Sequence, residues 1–261
     1  MQYRHKRLYG GLALVAVMAA AGCAKGGATA DVAPAIAPSL AAHAVYERMV
    51  EAVGGRAMLE QYTSAHAFGE FSLPAQGIQG DVQVFTAAPN YFLLEVEIPG
   101  IGMVRSGYNG EVAWTLNPAT GPMILEGNQL NQMRQQADFL GPLNVEAYVD
   151  SASVVEETEF AGKMCQKVRV VTNWGEEYFE FYDVTTGLPA GSIRTQESPM
   201  GAMEATTVVS DYKDLGGVLG ATRIVQSVMG MDQIITISAV EYQTVDLTVF
   251  EIPAEIKAMM K

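Results

Sequence analysis

Most of the chain after residue 64 consists of short stretches in which apolar and polar side chains alternate with the two-residue period of a β-strand. Turn-forming glycine, proline, asparagine and aspartate separate these stretches, which occur between residues 65 and 126 and again between residues 151 and 243. The dipeptide Asn109-Gly110, between two of them, is the strongest hairpin signal in the chain. The pattern predicts about a dozen antiparallel strands in two sets.

The segment that precedes the strands has the helical period instead. Residues 39–55 carry one apolar stripe, formed by Leu40, Val45, Met49 and Val53, and the stretch ends at two glycines. Apolar residues at this spacing predict an amphipathic helix, and the glycines mark its end. A shorter helical turn is predicted directly after it.

A second helical segment separates the two sets of strands. Residues 127–148 carry an apolar stripe formed by Leu130, Met133, Ala137 and Leu140, which a Gly-Pro pair follows. The predicted fold is therefore mainly β with a few α-helices. We expect a single unclosed antiparallel β-barrel, formed by one bent sheet and capped by helices around an apolar cavity.

Some strands carry large apolar side chains on both faces, and 12 of the 14 methionines lie after residue 22. A thick core explains both observations, and so does an apolar cavity whose lining looks like core in the sequence. For a cavity, the predicted lining is Phe85, Phe92, Leu94, Val96, Trp114, Leu116, Leu130, Met133 and Leu140. The choice of sheet face stays open, because a shift of the strand phase by one residue exchanges the two faces.

Residues 1–22 have the layout of an export signal, with three basic residues before an uncharged run that starts at Leu8. The run is too short to remain as a membrane-spanning helix, and it ends in Ala-Ala-Gly directly before Cys23. This arrangement resembles the lipobox of bacterial lipoproteins, in which the cysteine thiol receives a diacylglycerol and the signal peptide is cleaved before it. An ordinary signal peptide with a chance cysteine is the alternative.

The residues after Cys23 indicate where in the cell envelope the chain is expected to be located. The residue directly after the cysteine, Ala24, is not an aspartate, and in this the chain resembles lipoproteins that are sorted to the outer membrane and not retained in the inner one. Residues 23–38 are rich in Ala, Gly and Pro and predict an acylated flexible tether, and residues 39–261 are predicted to form the folded body. The expected location is the periplasmic face of the outer membrane, with the chain held there by its lipid anchor.

The chain that remains after cleavage is strongly acidic. Three of the 16 Lys and Arg residues and none of the 29 Asp and Glu residues precede Cys23, which leaves 13 positive and 29 negative side chains and a net charge of −16. Such a surface repels phosphate backbones, so nucleic acid is not an expected partner. Anionic headgroups are repelled too, so membrane attachment is expected to depend on the acyl chains.

The body lacks the residue patterns of common active sites. It contains no G-x-S-x-G, H-E-x-x-H, P-loop or C-x-x-C motif, and Arg105 stands where a dinucleotide fingerprint needs its third glycine. Cys165, the one cysteine left after lipidation, is predicted to be a small buried hydrophobe. His43 and His66 are too few for a histidine-based metal site. We therefore expect no enzymatic activity, no cofactor and no metal.

Four carboxylates nevertheless lie close together in the sequence, at Glu176, Glu177, Glu180 and Asp183. In a strand, Glu176 and Glu180 share one face with Tyr178, while the other two acids point the other way. The group could supply a carboxylate pair or bind calcium. A solvated face of a twisted strand explains it at least as well.

Short motifs in the body resemble the LolA/LolB family of lipoprotein carriers. The front half contains a G-D strand, a P-N-x-F turn and an N-G-x-x-x-W hairpin in the family's order, as Gly80-Asp81, Pro89-Asn90-Tyr91-Phe92 and residues 109–114, with Asn117-Pro118 after them. The back half is similar to outer-membrane lipoprotein-sorting proteins at Tyr182-Asp183, Thr186-Gly187-Leu188, Ser210-Asp211-Tyr212, Gly216-Gly217-Val218 and Phe250-x-x-Pro253. The resemblance implies an unclosed β-barrel, helices that cap its open side, and an apolar cavity that accepts acyl chains.

Two departures from the carrier bear on the function. The soluble carrier has an arginine before the proline of P-N-x-F that helps to hold the helical lid, whereas this chain has Ala88. The carrier is also not lipidated, which moves this chain toward a membrane-bound receptor or a sensor.

Three functions remain open from the sequence. The first is binding of lipids or of lipoprotein acyl chains in the cavity, for lipoprotein sorting or lipid transport at the outer membrane. The second is a non-enzymatic regulatory or scaffolding lipoprotein of the same fold that binds an envelope protein partner. The third, a hydrolase or a binding protein for a polar ligand, requires convergent carboxylates and histidines that the sequence does not show.

Overall fold

The computed structural model describes residues 39–198 and 201–260. The predicted signal peptide, the lipidation site Cys23 and the predicted tether lie outside the described residues. Among the helices of the described ranges, none has the length and apolar character needed to cross a membrane.

Thirteen strands and four α-helices make up the described fold. The helices are α1 (Leu40–Ala52), α2 (Arg56–Leu59), α3 (Gly127–Ala137) and α4 (Ala254–Met259). The strands are β1 (Ser64–Leu73), β2 (Ile78–Ala87), β3 (Tyr91–Ile98), β4 (Gly102–Tyr108), β5 (Ala113–Asn117), β6 (Gly121–Leu125), β7 (Val149–Phe160), β8 (Lys163–Thr172), β9 (Glu177–Asp183), β10 (Pro189–Ser198), β11 (Gly201–Asp214), β12 (Leu219–Val228) and β13 (Met231–Tyr242). Short 3₁₀ turns cover Pro74–Gln76, Gly141–Leu143, Val145–Ala147 and Leu247–Phe250.

All thirteen strands form one antiparallel sheet, in the order β6-β5-β4-β3-β2-β1-β13-β12-β11-β10-β9-β8-β7. Two sets of consecutive strands are joined where β1 pairs with β13, with Ala65 opposite Tyr242. The edge strands β6 and β7 are not hydrogen-bonded to each other, so the described sheet is not closed. The predicted fold class, an unclosed antiparallel sheet built from two sets of strands, is confirmed.

The sheet curls strongly around α3. On this helix, Arg134 Nε donates a hydrogen bond to the Tyr108 hydroxyl of β4 (3.3 Å), and Gln135 Nε2 donates to the Tyr178 hydroxyl of β9 (3.2 Å). Along the sheet, β4 and β9 are eight strand spacings apart, roughly 38 Å at about 4.8 Å each. Because neighbouring helix residues touch both strands, the sheet must bend until these strands face each other. We call the face toward α3 the inner face.

The helix α1 covers the inner face of β7–β9. Its residues Val45, Tyr46 and Met49 are buried against a cluster that includes Val168 and Val170. The Ser39 hydroxyl caps the helix by accepting a hydrogen bond from the Ala42 amide (3.2 Å). The predicted helix and most of its apolar stripe are therefore confirmed.

Leu40 is the exception on the α1 stripe. It is 91% exposed, because it occupies the first turn of the helix, beyond the cluster that buries the rest of the stripe.

The outer face of β3–β6 is also covered. After β13 the chain crosses this face, and Phe250 and Ile256 of the C-terminal segment pack with Leu93 and Trp114 in a second, smaller core. The predicted hairpin at Asn109-Gly110 joins β4 and β5, where the Asn109 side chain accepts hydrogen bonds from the amides of Glu111 (3.1 Å) and Val112 (2.8 Å).

Candidate functional site

The largest apolar cluster lies on the inner face beneath α3. It combines buried side chains from β1–β6 and β11–β13 with Met133 and Ala137 of the helix, and Leu130 packs against it. Leu94, Ile224 and Ile235 from three separate strands are each only 2% exposed. Because α3 side chains lie directly on this surface, a guest molecule that takes their place must displace the helix.

Polar side chains hold α3 against the second set of strands. Gln132 Nε2 donates to the Glu176 carboxylate at 3.0 Å, and Gln135 Nε2 donates to the Tyr178 hydroxyl. From β10, the Arg194 guanidinium donates to Gln135 Oε1 through two nitrogens, each at 3.4 Å. The helix α3 therefore rests on an apolar surface and is fastened by hydrogen bonds along one side.

Arg194 lies at the centre of this fastening. Its guanidinium is 3.6 Å from the centroid of the Tyr178 ring, and its Nη1 is 3.7 Å from the Glu176 carboxylate. The buried Arg194 Nε and Gln136 Nε2 have no hydrogen-bond partner among the described residues.

A cluster of tyrosines surrounds the Glu180 carboxylate between α1 and β9. It accepts hydrogen bonds from the hydroxyls of Tyr182 (2.8 Å), Tyr46 (3.3 Å) and Tyr178 (3.4 Å). Burial and the Glu180 charge raise the pKa of each of these tyrosines, so the hydroxyls stay protonated and keep donating. The face of Glu176, Tyr178 and Glu180 is thus the inner face, covered by α1 and α3, and the solvated-face interpretation is wrong for these residues. On the other face, Glu177 is exposed and forms an ion pair with Arg169.

Eight of the nine predicted cavity residues fall into two groups, one on each face of the sheet, and Leu140 belongs to neither. Phe92, Leu94, Val96, Leu130 and Met133 lie together in or against the cluster beneath α3. Whether these five contact a ligand stays a prediction.

Phe85, Trp114 and Leu116 lie on the outer face, with the C-terminal segment. The register gives the reason: Phe85 pairs with Leu93 and Trp114 with Gly107, which places all of them one residue out of phase with Leu94. Their predicted place beside Phe92 and Leu94 is therefore corrected.

Leu140 does not belong to the helix that carries Leu130 and Met133. The helix α3 ends at Ala137, because the Asp138 side chain accepts a hydrogen bond from the Leu140 amide (3.0 Å) and begins a turn. The neighbouring Phe139, which the sequence pattern did not single out, packs against the inner-face cluster instead.

The cysteine and the two histidines considered above occupy sites where packing or exposure, and not chemistry, explains their surroundings. Cys165 is fully buried, and burial raises the pKa of its thiol. His66 stacks on Phe85 and lies 3.0 Å from the Gln83 amide oxygen, and burial lowers its pKa. His43 is exposed beside Glu47. Across residues 39–198 and 201–260, no group of three or more His, Cys, Asp and Glu is placed to hold a metal.

The motifs that carry the family resemblance shape turns and docking points. Asp183 accepts hydrogen bonds from the Thr185 and Thr186 amides at 2.7 and 3.0 Å, which builds the turn on which Arg48 of α1 docks. The Gly216 carbonyl accepts a hydrogen bond from the Tyr62 hydroxyl at 2.8 Å. These motifs therefore specify the fold, and the polar fastening of α3 has no counterpart among them.

Comparisons with known proteins identify the fold. No family model and no curated protein matches the sequence. A LolA superfamily protein from Nitrosomonas europaea aligns with 80% of this chain and 97% of its own, at 13% identity and a TM-score of 0.54. A DUF1329 family protein from Desulfovibrio piger aligns with 82% of this chain and 98% of its own, at 14% identity and a TM-score of 0.56.

A third solved structure, a domain from Vibrio parahaemolyticus named for outer membrane lipoprotein sorting, aligns with 79% of this chain and 97% of its own. The identity is 12% and the TM-score 0.50. At such identities the similarity concerns the fold alone. This chain has a LolA-like fold.

Proposed function

We propose that this chain, with its LolA-like fold, binds the acyl chains of a lipid or lipoprotein on the inner face beneath α3. The observation that carries the proposal is an apolar surface on one face of a curled sheet, covered by a short helix that side-chain hydrogen bonds fasten along one side. The role is binding and transfer, without catalysis.

The energies of lid and ligand are compatible. A hydrogen bond between neutral side chains, such as Gln135 to Tyr178, contributes about 0.5–1.5 kcal/mol, and one with a charged partner, such as Gln132 to Glu176 or Arg194 to Gln135, about 1.5–3 kcal/mol. Releasing all of them therefore costs several kcal/mol. Moving one methylene group from water to an apolar surface yields about 0.8 kcal/mol. An acyl chain with about ten buried methylenes gains about 8 kcal/mol, which is enough to offset the loss of the fastening.

The lid of this chain would be held differently from that of the carrier it resembles. The arginine that precedes the P-N-x-F proline in the carrier is Ala88 here. Instead, Arg194 reaches α3 from β10, and Arg134 reaches from α3 to Tyr108. In this chain, arginines at other positions would therefore hold the helix that acts as the lid.

The proposed location is the periplasmic face of the outer membrane. The predicted acyl anchor at Cys23 supports it, as does the fold shared with a domain named for outer membrane lipoprotein sorting. The proposed cargo is then a lipid or lipoprotein that arrives at, or leaves from, the membrane to which the chain is anchored.

The test introduces a charge beneath the lid. Leu130→Glu should abolish uptake of lipid or acylated peptide, because an unpaired carboxylate on an apolar surface is strongly unfavourable. Native mass spectrometry of the exported chain, with Cys23→Ser so that every acyl chain detected is a bound ligand, measures the uptake.

Leu40→Glu is the matched control, since the same change then falls on an exposed helix position. Uptake should be lost in the first variant and kept in the second. An unliganded mass for the parent chain after addition of lipid and acylated peptide would rule out the proposed function.

A further inference from the structure

Three neighbouring hairpins end on the same side of the sheet. They join β3 to β4, β1 to β2 and β12 to β13, and these strand pairs are adjacent in the strand order. We call their tips, residues 98–103, 73–78 and 228–231, the upper rim. Neighbouring tips are two strand spacings apart, about 10 Å.

The upper rim exposes large apolar side chains. Ile101 is 45% exposed and Met229 66%, and Met103 and Met231 are exposed beside them. No charged residue occurs within residues 98–104, 71–80 or 224–231, although the whole chain carries a net charge of −13. An uncharged apolar arc on an acidic protein indicates a contact surface.

Met229 has a left-handed backbone conformation, which glycine, asparagine and aspartate adopt more readily than methionine does. Its φ is 52° and that of Gly230 is 75°, the two left-handed positions of a tight hairpin turn. Asparagine, aspartate and glycine adopt the first position readily, whereas a long side chain there is strained. The chain therefore places an apolar side chain at the tip at some cost to its stability.

The N-terminal segment enters the fold near the same end. The Ser39 amide donates a hydrogen bond to the Ala152 carbonyl (2.8 Å), near the start of β7 on the side of the upper rim. From there α1 runs toward the opposite end, where Arg48 binds the carbonyls of Val184 and Thr185 in the β9–β10 turn. The 16 residues from Cys23 to the fold can extend roughly 55 Å at most, so the tether to an acyl anchor on Cys23 is long enough to hold the upper rim against a membrane.

We infer that the upper rim is a membrane-contact surface, whose side chains Ile101, Met103, Met229 and Met231 insert among the headgroups of a lipid bilayer. Apolar side chains on an interfacial surface bind a membrane by burying their area below the headgroup level. The inference adds a surface to the proposed function, namely the one through which cargo would pass.

Charges just below the rim determine the kind of bilayer. Glu70, Asp81 and Glu97 lie side by side on the outer face of β1, β2 and β3, and Asp232 follows Met231. These carboxylates repel anionic headgroups, so the rim fits a zwitterionic surface. Added anionic lipid should weaken the contact, most strongly at low salt.

The inner face continues up to the rim. Leu73 and Ile78 pack against the inner-face cluster, and Met231 shares the phase of the buried Ile235. An acyl chain could therefore move between a bilayer and the surface beneath α3 along the apolar side chains of β1 and β2, whereas the paired Gln226 and Gln233 interrupt the apolar surface on β12 and β13.

The first experiment labels single sites with an environment-sensitive fluorophore. In the exported Cys23→Ser chain, the fully buried Cys165 stays unlabelled, so Met231→Cys and Met164→Cys each give one labelled position. These methionines are 53% and 52% exposed and lie at opposite ends of the sheet. With phosphatidylcholine vesicles, the label at 231 should brighten several-fold and be quenched by nitroxide lipids, while the label at 164 stays unchanged.

The second experiment removes the apolar tip without straining it further. Met229→Asn suits the left-handed turn and should leave the melting temperature unchanged or raised. Combined with Met231→Thr, it should reduce partitioning into phosphatidylcholine vesicles roughly tenfold, because two apolar side chains leave the interface. Met164→Thr should leave partitioning unchanged.

Two results would overturn the inference. In one, the two labels respond equally or not at all to vesicles. In the other, the rim variants dissociate a dimer in sedimentation while the labels ignore vesicles, which would make the rim a contact between copies of the chain. The proposed function is tested separately, since rim variants should still take up short acylated peptides in solution and Leu130→Glu should keep its rim response.

Discussion

Arg194 shows how much one side chain connects in this fold. Its planar guanidinium lies over the Tyr178 ring, with its central carbon 3.6 Å from the ring centroid, and at the same time donates to Gln135 of α3. A lysine ammonium is a point charge without such a plane, and it could not do both. If α3 moves away from the sheet as proposed, Arg194 loses its partner Gln135, while its contact with the Tyr178 ring within the sheet can remain.

The Asp183 carboxylate stabilises the turn between β9 and β10, where it accepts hydrogen bonds from two backbone amides. Burial alone would raise the pKa of its carboxyl, but the amides of Thr186 and Thr185 and the Lys163 ammonium together hold it below the ordinary value of 3.8. A carboxyl with a lowered pKa in the folded state stabilises the fold above its unfolded pKa. That contribution is lost as the pH falls through the lowered value.

Asp183→Asn should therefore change how stability depends on pH. At neutral pH the variant should be about 1 kcal/mol less stable, because it loses charge-assisted hydrogen bonds. Below about pH 4 the difference between parent and variant should shrink toward zero, since the parent carboxyl then takes up its proton. Urea unfolding from pH 7 to pH 2.5 measures this. A difference that stays constant across the range would contradict the assignment.

At the scale of elements, the α1–α2 turn docks tightly on the sheet. The Val53 carbonyl accepts a hydrogen bond from the Leu219 amide (2.8 Å), and a Cβ atom at Gly54 would lie 2.5 Å from the Gly217 carbonyl oxygen. Gly54 also has a φ of 129°, which side-chain-bearing residues rarely adopt.

Gly54→Ala should lower the free energy of unfolding by about 2–4 kcal/mol, because backbone strain and a clash with a carbonyl oxygen add up. Gly77→Ala is the control, since Gly77 also has a positive φ, 64°, but open space around its Cβ position. It should cost only about 1 kcal/mol. Equal losses in thermal or chemical unfolding would show that docking of this turn contributes nothing.

Most of the helices and strands could be predicted from the hydrophobic pattern of each segment on its own. Asn109-Gly110 marks a hairpin through local chemistry, so the sequence alone predicts it. The end of α3 was missed because Asp138 ends the helix by a side-chain hydrogen bond, while Leu140 continues the apolar spacing by chance. Phe85 and Trp114 were placed on the inner face because a distant segment, around Phe250, covers the outer face too. The Arg194 fastening joins residues 59 apart, and no local pattern predicts such a contact.

At the scale of the whole molecule, the C-terminal segment packs against the outer face of the sheet and forms part of its core. Phe250 is 3% exposed and lies 5.3 Å from the Tyr91 ring, on the face opposite to α3. The sheet is therefore covered on both sides where its outer face is most apolar.

Phe250→Ala should lower the free energy of unfolding by about 3–4 kcal/mol, since a buried aromatic side chain leaves a cavity. Leu247→Ala should change it by less than about 0.5 kcal/mol, because Leu247 is largely exposed in the same segment. Calorimetry of both variants compares them. A small loss for Phe250→Ala would mean that the outer core is dispensable.

The pairing of β1 with β13 bears on how such a chain reaches its destination. The two strands that join the halves of the sheet lie near the two ends of the folded body, with His66 opposite Glu241. For a chain that is threaded through a translocation channel from its N-terminus, this seam can form only after the last strand has emerged. The early hairpins then have no complete sheet to join while the rest is still in transit. A molecule assembled in this order stays pliable during passage and gains its full stability only once export is complete.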